Sequence, residues 1–336
     1  MASYIGALLY RLSRRGAIIF LAVCLSSLFF LSFVSFQAHI SRGIQDFAEL
    51  PGGLQDKHVE CSGRQQAATR DIWNAAERKY RDLRDDYFTV AIQTYRRPKE
   101  LNNTLHLLLG TKIPSLLEIV IIWNDVQIKP PEDFVSPYNV SVRYRVSRRN
   151  SLNEKLWPDP NYRTKAILLS DDDVHYNPSD LDFIFQTWRK NGQNRLTGAF
   201  ARCVSMSSEG QWQYSLCGNM DSYSMILTGL AFTHIAFLDY FSSHDPLMTE
   251  IREYIDTTFN CEDIAMNFVA SMLTCKGPLQ ISGAEKPVNV MPKKGISTKP
   301  GHMKIRSKCV KDFIEFFGYL PLRNTTEYIA RGLIRG

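Results

Sequence analysis

In Lys165-Ala-Ile-Leu-Leu-Ser-Asp-Asp-Asp-Val-His175, a short apolar run leads into three acids. An apolar run of this length is typical of a strand that is buried on both faces of a sheet. Because Asp is a poor strand former and like charges repel, we expect the strand to end at Asp171, Asp172 and Asp173. These carboxylates must then lie open to water or close to an offsetting positive charge.

Other segments repeat this arrangement of an apolar strand with a polar ending. Strands are predicted at 87–95, 117–125 and 140–147, and helices at 64–86 and 99–110. Alternation of strands and helices indicates an α/β fold with a mostly parallel sheet and helices on both faces. Ligands of such sheets bind at the carboxyl ends of the strands, which is where the polar endings fall.

The second half of the chain is predicted to contain more helix. A basic segment rich in Pro and Gly and a polar segment between two cysteines are expected to be loops. The helices are expected at 177–190, 260–274 and 307–322, a strand followed by a helix at 221–241, and the loops at 203–219 and 285–304.

The composition is that of an ordinary globular protein. The 336 residues are 44% hydrophobic, and the net charge is +6 without a long basic run. This charge is weak evidence for an anionic ligand and poor evidence for nucleic acid. The chain contains neither GxGxxG nor GxxxxGK[ST], so neither nucleotide fingerprint applies, and no CxxC pair suggests zinc.

The N-terminal region predicts a membrane anchor. Residues 17–36 carry no charge, and at about 1.5 Å per residue they would span roughly 30 Å, the thickness of a hydrocarbon core. Arg11, Arg14 and Arg15 precede this run, so the positive-inside rule sends the rest of the chain to the lumen. A cleaved signal peptide is the alternative, but the run is long for one.

This reading divides the chain into a cytosolic tail (1–16), a signal anchor (17–36), a stem (37–63) and a lumenal domain (64–336). A lumenal domain could carry glycans at the sequons of Asn102, Asn139 and Asn324. Its cysteines could also pair, although spacing does not give the connectivity. From loop length alone, Cys203 with Cys217 is the pairing that we favour.

The acid run has a chemical interpretation. A hard divalent cation prefers carboxylate oxygens, and such a cation could neutralise the diphosphate leaving group of a nucleotide. A solvated acidic turn is the alternative without function. Phosphohydrolases of the haloacid dehalogenase type also place acids at strand ends, but usually on the first strand of the domain, whereas Asp171 follows a late strand.

Several motifs occur in an order that resembles a known family. The segments QTYRR, VIIWND, SLNEKLWP, LLSDDDV, FIFQTWRK, DSYSMILTGLAF, NCEDIAMNF and YLPLR lie in this order within residues 88–323. Together they resemble glycosyltransferase family 64, the exostosin C-terminal domain family, and most of all the small exostosin-like α-1,4-N-acetylhexosaminyltransferases. The resemblance implies a GT-A fold, a Mn²⁺-dependent nucleotide-sugar donor, retaining transfer that makes an α-linkage, and type II anchoring in the Golgi or endoplasmic reticulum.

The resemblance also implies roles for individual residues. Asp173 matches the acid that ligates Mn²⁺, and Asp171 matches the acid beside the ribose. Lys155 stands where close relatives carry Arg. Because Lys is a point charge and not a planar fork, we expect the donor contact there to differ. The positions expected at the nucleotide-sugar are Gln93, Thr94, Arg97, Asn124, Asn150, Lys155, Asp171, Asp172, Asp221, Tyr223 and His302.

Two further residues match catalytic positions of the family. Asp263 matches the carboxylate under the anomeric carbon, where it could be a nucleophile or an electrostatic stabiliser, and the sequence does not choose between these roles. Glu262 and Asp263 also fit plain charge matching at a helix N-terminus. Arg306 matches a basic residue on the diphosphate, with a surface loop charge as its alternative. Cys261 and Cys309 match a disulfide of the relatives that would hold these two segments together.

The expected partners are therefore a nucleotide-sugar, foremost a UDP-sugar, a glycan or glycolipid acceptor, and the membrane. Nucleic acid is not expected, and a homodimer is left open. Three alternatives remain: a transferase that uses GDP-mannose or another hexose donor on inositol-phosphoceramide lipids, a catalytically silent partner of an active homologue, and a metal phosphohydrolase.

Overall fold

Strands and helices alternate through the first half of the protein, as the apolar runs predict. The computed structural model describes residues 63–218, 221–290 and 295–332. The first half contains α1 (Gly63–Lys79), β1 (Arg84–Thr94), α2 (Pro98–Leu109), β2 (Leu116–Trp123), β3 (Phe134–Val135), β4 (Ser141–Val146), a 3₁₀ helix (Leu152–Leu156), β5 (Thr164–Asp171), β6 (Val174–His175), α3 (Pro178–Thr187) and a π-helical turn (Trp188–Gly192).

The second half carries shorter strands and most of the larger helices. Its elements are β7 (Thr197–Gly198), β8 (Ala201–Met206), β9 (Trp212–Ser215), β10 (Met225–Ile226), β11 (Leu230–His234), α4 (Ile235–Phe241), α5 (Pro246–Thr258), α6 (Glu262–Thr274), β12 (Leu279–Ser282), β13 (Val288–Asn289), a 3₁₀ turn (Ile296–Thr298), α7 (His302–Phe317) and β14 (Tyr328–Ala330).

The central sheet of the described residues has nine strands in the order β14-β12-β7-β11-β5-β1-β2-β4-β3. Strands β5, β1, β2 and β4 are parallel neighbours, whereas β11 runs antiparallel to β5. Gln93 of β1 is in register with Asp171 of β5, and Thr94 with Trp123 of β2. The carboxyl ends of the three strands therefore meet at one edge of the sheet, where the sequence predicts the site.

Hydrophobic side chains cover both faces of the sheet. Along β1, Phe88, Val90 and Ile92 belong to a core shared with α2 and α3, whereas Ala91 belongs to a second core on the other face. This second core takes in α4, α5, α6 and α7. Alternate residues of a strand point to opposite faces, so one buried strand serves two layers of helices. The predicted α/β class with helices on both faces is confirmed.

Several predicted boundaries need correction. Residues 203–219 are not simply a loop, because β8 and β9 form an antiparallel hairpin within them. Helix α7 spans His302–Phe317 and not 307–322, so the Pro and Gly residues of the predicted loop at 285–304 do not delay its start. Helix α1 ends at Lys79, since β1 already begins at Arg84. Helix α5 was not predicted.

The predicted anchor, at residues 17–36, lies outside the residues that the structure describes, as do the tail and the stem up to residue 62. Within the described ranges, no helix has both the length and the apolar character that crossing a membrane requires. The cysteine pairs Cys203–Cys217 and Cys261–Cys309 are both formed, which confirms the two predicted disulfides.

Candidate active site

The three acids lie at the end of β5, and each has a different environment. Asp172 is 2% exposed and Asp173 is 8% exposed, whereas the Asp171 side chain is about half open to solvent at 43%. The Asp171 amide donates to the carbonyl of Gly229 at 2.9 Å. A Cβ on Gly229 would lie 2.8 Å from Asp171 Oδ2, so only glycine leaves this side of the carboxylate open.

Arg97 supplies the positive charge that the acid run requires. Its guanidinium contacts Asp172 Oδ1 at 2.7 Å and also contacts Asp173 Oδ2. Thr94 Oγ1 donates to Asp172 Oδ2 at 2.7 Å. Burial nevertheless raises the pKa of Asp172 to about 7, against the lowering effect of Thr94 and Arg97, and burial likewise raises the pKa of Asp173. One guanidinium therefore offsets the two buried carboxylates only in part.

The ends of β1 and β2 carry amide side chains that bind the segment following β4. Gln93 Nε2 donates to the Ser151 carbonyl at 2.7 Å, and Asn124 Nδ2 donates to the same carbonyl at 2.9 Å. Asn124 Oδ1 accepts from Ser147 Oγ at 2.6 Å, while its Nδ2 is 3.4 Å from Asn150 Oδ1. Asn150 is exposed. The predicted positions Gln93, Asn124 and Asn150 thus lie together at the edge of the sheet beside the acids.

Lys155 joins the acid run to α6. Its buried ammonium lies 2.9 Å from Asp171 Oδ1 and 3.6 Å from Glu262 Oε1. Burial disfavours the charge, yet Asp171 and Glu262 together raise the pKa of Lys155 above its ordinary value. Burial also raises the pKa of Glu262 to about 7, although Lys155 acts in the opposite direction. Lys155 is therefore the bridge between two regions that lie far apart in the sequence.

Asp263 and Arg306 form a buried ion pair beside this bridge. Arg306 Nη2 is 2.5 Å from Asp263 Oδ2, and the two side chains are 6% and 7% exposed. Arg306 Nη1 also donates to Asn260 Oδ1 at 3.2 Å, and the guanidinium lies 4.3 Å from the centre of the Tyr214 ring. Burial opposes the charge of Arg306, but Asp263 raises its pKa. Arg306 is therefore not a surface loop charge.

Backbone geometry and disulfides fix this pair. Phe259 and Cys261 have left-handed φ angles of 51° and 78° on either side of Asn260, an arrangement that costs free energy and is typical of functional sites. The Cys261–Cys309 disulfide ties the start of α6 to α7. The Tyr214 amide donates to Ser307 Oγ at 3.1 Å, which holds the β8–β9 hairpin against the same helix.

The sequence of this chain is similar to those of known proteins. The model of the Glycosyl transferase family 64 domain matches residues 88–332. The chain belongs to glycosyltransferase family 64.

Curated relatives agree with this membership. Exostosin-like-3 homolog of Caenorhabditis elegans is 31% identical over 71% of this chain and 28% of its own length. Exostosin-like 2 of Mus musculus is 29% identical over 73% of this chain and 77% of its own. Glucosamine inositolphosphorylceramide transferase 1 of Arabidopsis thaliana is 31% identical over 69% of this chain and 30% of its own length. The chain therefore spans only about a third of some relatives.

One solved structure shows a slight likeness. The crystal structure of S. aureus TarS 1-349 superposes with a TM-score of 0.34 at 12% sequence identity, over 56% of this chain and 55% of that chain.

Two residues predicted to bind the nucleotide-sugar form none of the hydrogen bonds or ion pairs described above for the candidate site. Asp221 is exposed. Tyr223 is buried, and its hydroxyl accepts from the Gln280 amide at 2.5 Å and donates to the Glu327 carbonyl. Within the described part of the chain, the hydrogen bonds of Tyr223 go to residues around β12 and before β14, and to none of the other candidate site residues. His302 lies near the pair, with its Nδ1 3.2 Å from Asn260 Nδ2.

Three residues that the fold brings to the site are not predicted by the motifs described above. Glu262 was explained by its helix N-terminus alone, although it lies against Lys155. Asn260 and Tyr214 both contact Arg306. The NCED motif contains Asn260 and Glu262 and could have indicated them, whereas nothing in the sequence near Tyr214 indicates its contact with α7.

The acid run suits a divalent cation only with help from a ligand. Among the described residues, no three His, Cys, Asp or Glu side chains surround a common point as a metal site would require. Small hard divalent cations are often held by one or two carboxylates together with the phosphates of a substrate. The candidate site contains more carboxylates than cations, namely Asp171, Asp172, Asp173, Glu262 and Asp263 against Arg97, Lys155 and Arg306. The residues therefore fit a divalent cation that arrives with a diphosphate.

Proposed function

We propose that this family 64 chain is a retaining glycosyltransferase that moves a sugar, foremost an N-acetylhexosamine from a UDP-sugar, to a glycan or glycolipid acceptor with an α-linkage. Under this proposal the sheet is a GT-A fold and Mn²⁺ is the cofactor. The observation that carries the proposal is the Lys155 bridge, because it joins the acid run to the Asp263–Arg306 pair in one site.

The donor is proposed to bind across the carboxyl ends of β1, β2 and β5. The amides of Gln93 and Asn124 and the exposed side chain of Asn150 provide donors and acceptors that a nucleoside requires. Asp171 is the most open carboxylate of the run, and it fits the role of an acceptor for ribose hydroxyl groups. Thr94 and Arg97 hold the buried carboxylate of Asp172 in place.

Asp173, with Asp172 beside it, would hold the cation. When bound, Mn²⁺ would neutralise the charge that develops on the departing diphosphate. Arg97 now contacts both Asp172 and Asp173, so loading the site requires Asp173 to share its carboxylate between the guanidinium and the cation. Arg306, which α7 carries beside Asp263, is the second positive charge available to the diphosphate.

The transfer forms a bond between the acceptor oxygen and the anomeric carbon and breaks the bond from that carbon to the diphosphate. The diphosphate leaves with the electron pair of the broken bond, and the acceptor hydroxyl gives its proton to a departing phosphate oxygen or to a carboxylate. Asp263 would stabilise positive charge at the anomeric carbon or attack it as a nucleophile. Because Asp263 contacts Arg306, the stabilising role requires less rearrangement of the resting site.

We propose the type II topology of the sequence analysis, with the catalytic domain in the lumen of the Golgi or endoplasmic reticulum. Oxidised Cys203–Cys217 and Cys261–Cys309 support an oxidising compartment. A homodimer remains part of this proposal without a contact that favours it.

A hexose transfer to an inositol-phosphoceramide lipid is the second candidate function. The Arabidopsis thaliana relative named glucosamine inositolphosphorylceramide transferase 1, at 31% identity, favours the lipid acceptor, whereas the sugar in its name is glucosamine and not a hexose. A silent partner of an active homologue is disfavoured, because the acid run, Lys155, Asp263 and Arg306 are present and brought together.

The test is a donor screen with the purified full chain, in which hydrolysis and transfer are measured with Mn²⁺ against UDP- and GDP-sugars. Asp173→Ala should lose Mn²⁺-dependent nucleotide binding, whereas Asp263→Asn should retain binding and lose transfer. Asp82→Ala removes an acid that is 89% exposed and should behave as wild type. Turnover that is independent of Mn²⁺, or normal transfer by Asp263→Asn, would overturn the assignment.

A further inference from the structure

The β3–β4 hairpin exposes an apolar edge of the sheet. Strand β3 is the last strand of the described sheet and pairs only with β4, through Phe134 with Val142 and Val135 with Ser141. Phe134 is 43% exposed, Val135 is 62% exposed and Tyr138 in the turn is 45% exposed. An exposed apolar edge strand is a template for unwanted strand pairing, so proteins usually blunt or cover it.

The tip of the same hairpin carries a sequon. Asn139, followed by Val140 and Ser141, has a left-handed φ angle of 63°. The turn is fixed by the Asn139 amide, which donates to the Ser136 carbonyl at 2.9 Å, and by the Ser136 amide, which donates to the Val140 carbonyl at 2.9 Å. The Asn139 side chain is exposed, and no residue within the described ranges accepts or donates a hydrogen bond to it.

The other two sequons lie in different surroundings. Asn102 is on the exposed side of α2, in the middle of a helix, and its Thr104 hydroxyl is committed to the Asp172 carbonyl at 2.8 Å. Asn324 precedes Thr325, whose amide and carbonyl both pair with Tyr223. Asn139 is therefore the sequon that lies at a hairpin tip and beside exposed apolar side chains.

From these observations we infer that Asn139 is an N-glycan acceptor and that its glycan covers the apolar edge formed by Phe134, Val135 and Tyr138. This inference rests on the lumenal placement under the proposed function. The modification joins the Asn139 amide nitrogen to the anomeric carbon of an oligosaccharide that is carried on a lipid diphosphate. The bond from that carbon to the diphosphate breaks, the diphosphate leaves with its electron pair, and the amide loses one proton.

A glycan suits this edge better than a second protein chain does. The strand offers two residues for pairing, which is little for a specific interface, although its exposed apolar side chains can still associate non-specifically. A glycan at the tip is tethered beside these side chains. The hairpin tip precedes β4 and so lies at the amino end of the parallel strands, opposite the candidate site at their carboxyl ends. A hydrated oligosaccharide there would keep other strands away from β3.

The test uses the full chain, produced in eukaryotic cells with a secretory pathway and purified in detergent. Mass spectrometry of the peptide containing Asn139 should show a hexose-rich glycan. Enzymatic removal of glycans, and separately Asn139→Gly, should raise the mean particle mass measured by light scattering, because β3 is then uncovered. Glycine adopts the φ angle of Asn139 without strain, so this variant folds normally. Adding Val135→Lys to Asn139→Gly should restore the mass of the untreated chain.

Several outcomes would overturn the inference. An unmodified Asn139 in a chain that carries a glycan at Asn102 or Asn324 refutes it while leaving the lumenal placement intact. Deglycosylated chain that keeps its original mass refutes the covering role. A glycosylated chain that forms a dimer which Val135→Lys dissolves shows instead an interface between copies. A chain without any glycan refutes both the inference and the lumenal placement, whereas sugar transfer in the donor screen is a separate readout of the proposed function.

Discussion

Breaking the Asp263–Arg306 pair should cost several times more stability than breaking an exposed pair on the same helix. Both side chains are below a tenth exposed and their charged atoms are 2.5 Å apart. Removal of one member of a buried ion pair typically costs about 3–5 kcal/mol, because the other charge is left without compensation. Arg306 would keep Asn260 and Tyr214, and Asp263 Oδ1 would keep the Ile264 amide. We therefore expect the low end, about 3 kcal/mol, for Arg306→Met or Asp263→Asn alone.

The double variant distinguishes a coupled pair from two independent residues. If the pair is coupled, Arg306→Met with Asp263→Asn should lose no more than about 3 kcal/mol in total, rather than about 6 kcal/mol, because no unpaired charge remains. Urea unfolding followed by tryptophan fluorescence, with the disulfides intact, gives these free energies. Lys311→Met is the matched control, since Lys311 and Glu315 pair at 3.8 Å on α7 and are 67% and 64% exposed. Its expected loss is below about 1 kcal/mol. Losses of that size for the buried pair, or additive single losses, would refute the reasoning.

Three further predictions concern the surroundings of the site. Tyr214→Leu should lower kcat about fivefold or more with little change in KM, and Tyr214→Phe should recover it, because a desolvated cation–π contact is worth about 1–2 kcal/mol; equal loss in both variants would contradict a role for the ring face. The His234 contact lowers the pKa of Glu77 to about 2, so this carboxylate contributes stability above its unfolded pKa, and that contribution is lost as the pH falls from about 4.5 towards about 2. Glu77→Gln should therefore be less stable than wild type by about 1 kcal/mol at pH 7, discounted for solvent screening, and equally stable near pH 2, as thermal unfolding over this pH range would show; a pH-independent difference would count against it. Cys309→Ser should lower the free energy of unfolding by about 4 kcal/mol, because the Cys261–Cys309 disulfide closes a loop of 48 residues and restricts the unfolded chain. A loss below about 1 kcal/mol in urea unfolding would argue against this role of the disulfide.

The sheet was predictable because its signals are local. The run from Ala166 to Leu169 is apolar, Ser170 and the acids follow it, and the structure ends β5 at Asp171. Helix α5 was missed although Pro246 and the Asp245 cap mark its start, so that error came from overlooking a signal that was present. The β8–β9 hairpin was missed for a different reason, since its strands are short and mix polar with apolar residues, and β9 is held by a contact with α7 that lies far along the chain.

The electrostatic partners could not be read from the sequence. Lys155 was assigned to the donor, yet its position also determines the environment of Glu262, a residue that lies far along the chain. The contact of Tyr214 with Arg306 likewise depends on how a hairpin lies against a helix. Coulomb energies fall with distance and rise with burial, and both are properties of the packed chain.

Local patterns were enough to predict where strands end, which acids and amides follow them, and the family that these motifs indicate, because periodicity and motif order are properties of neighbouring residues. Folding alone brings Arg97 to the acid run, Lys155 between that run and α6, and Asp263 to Arg306. These pairings depend on the distances that packing creates between segments distant in the chain, and no local pattern records such distances.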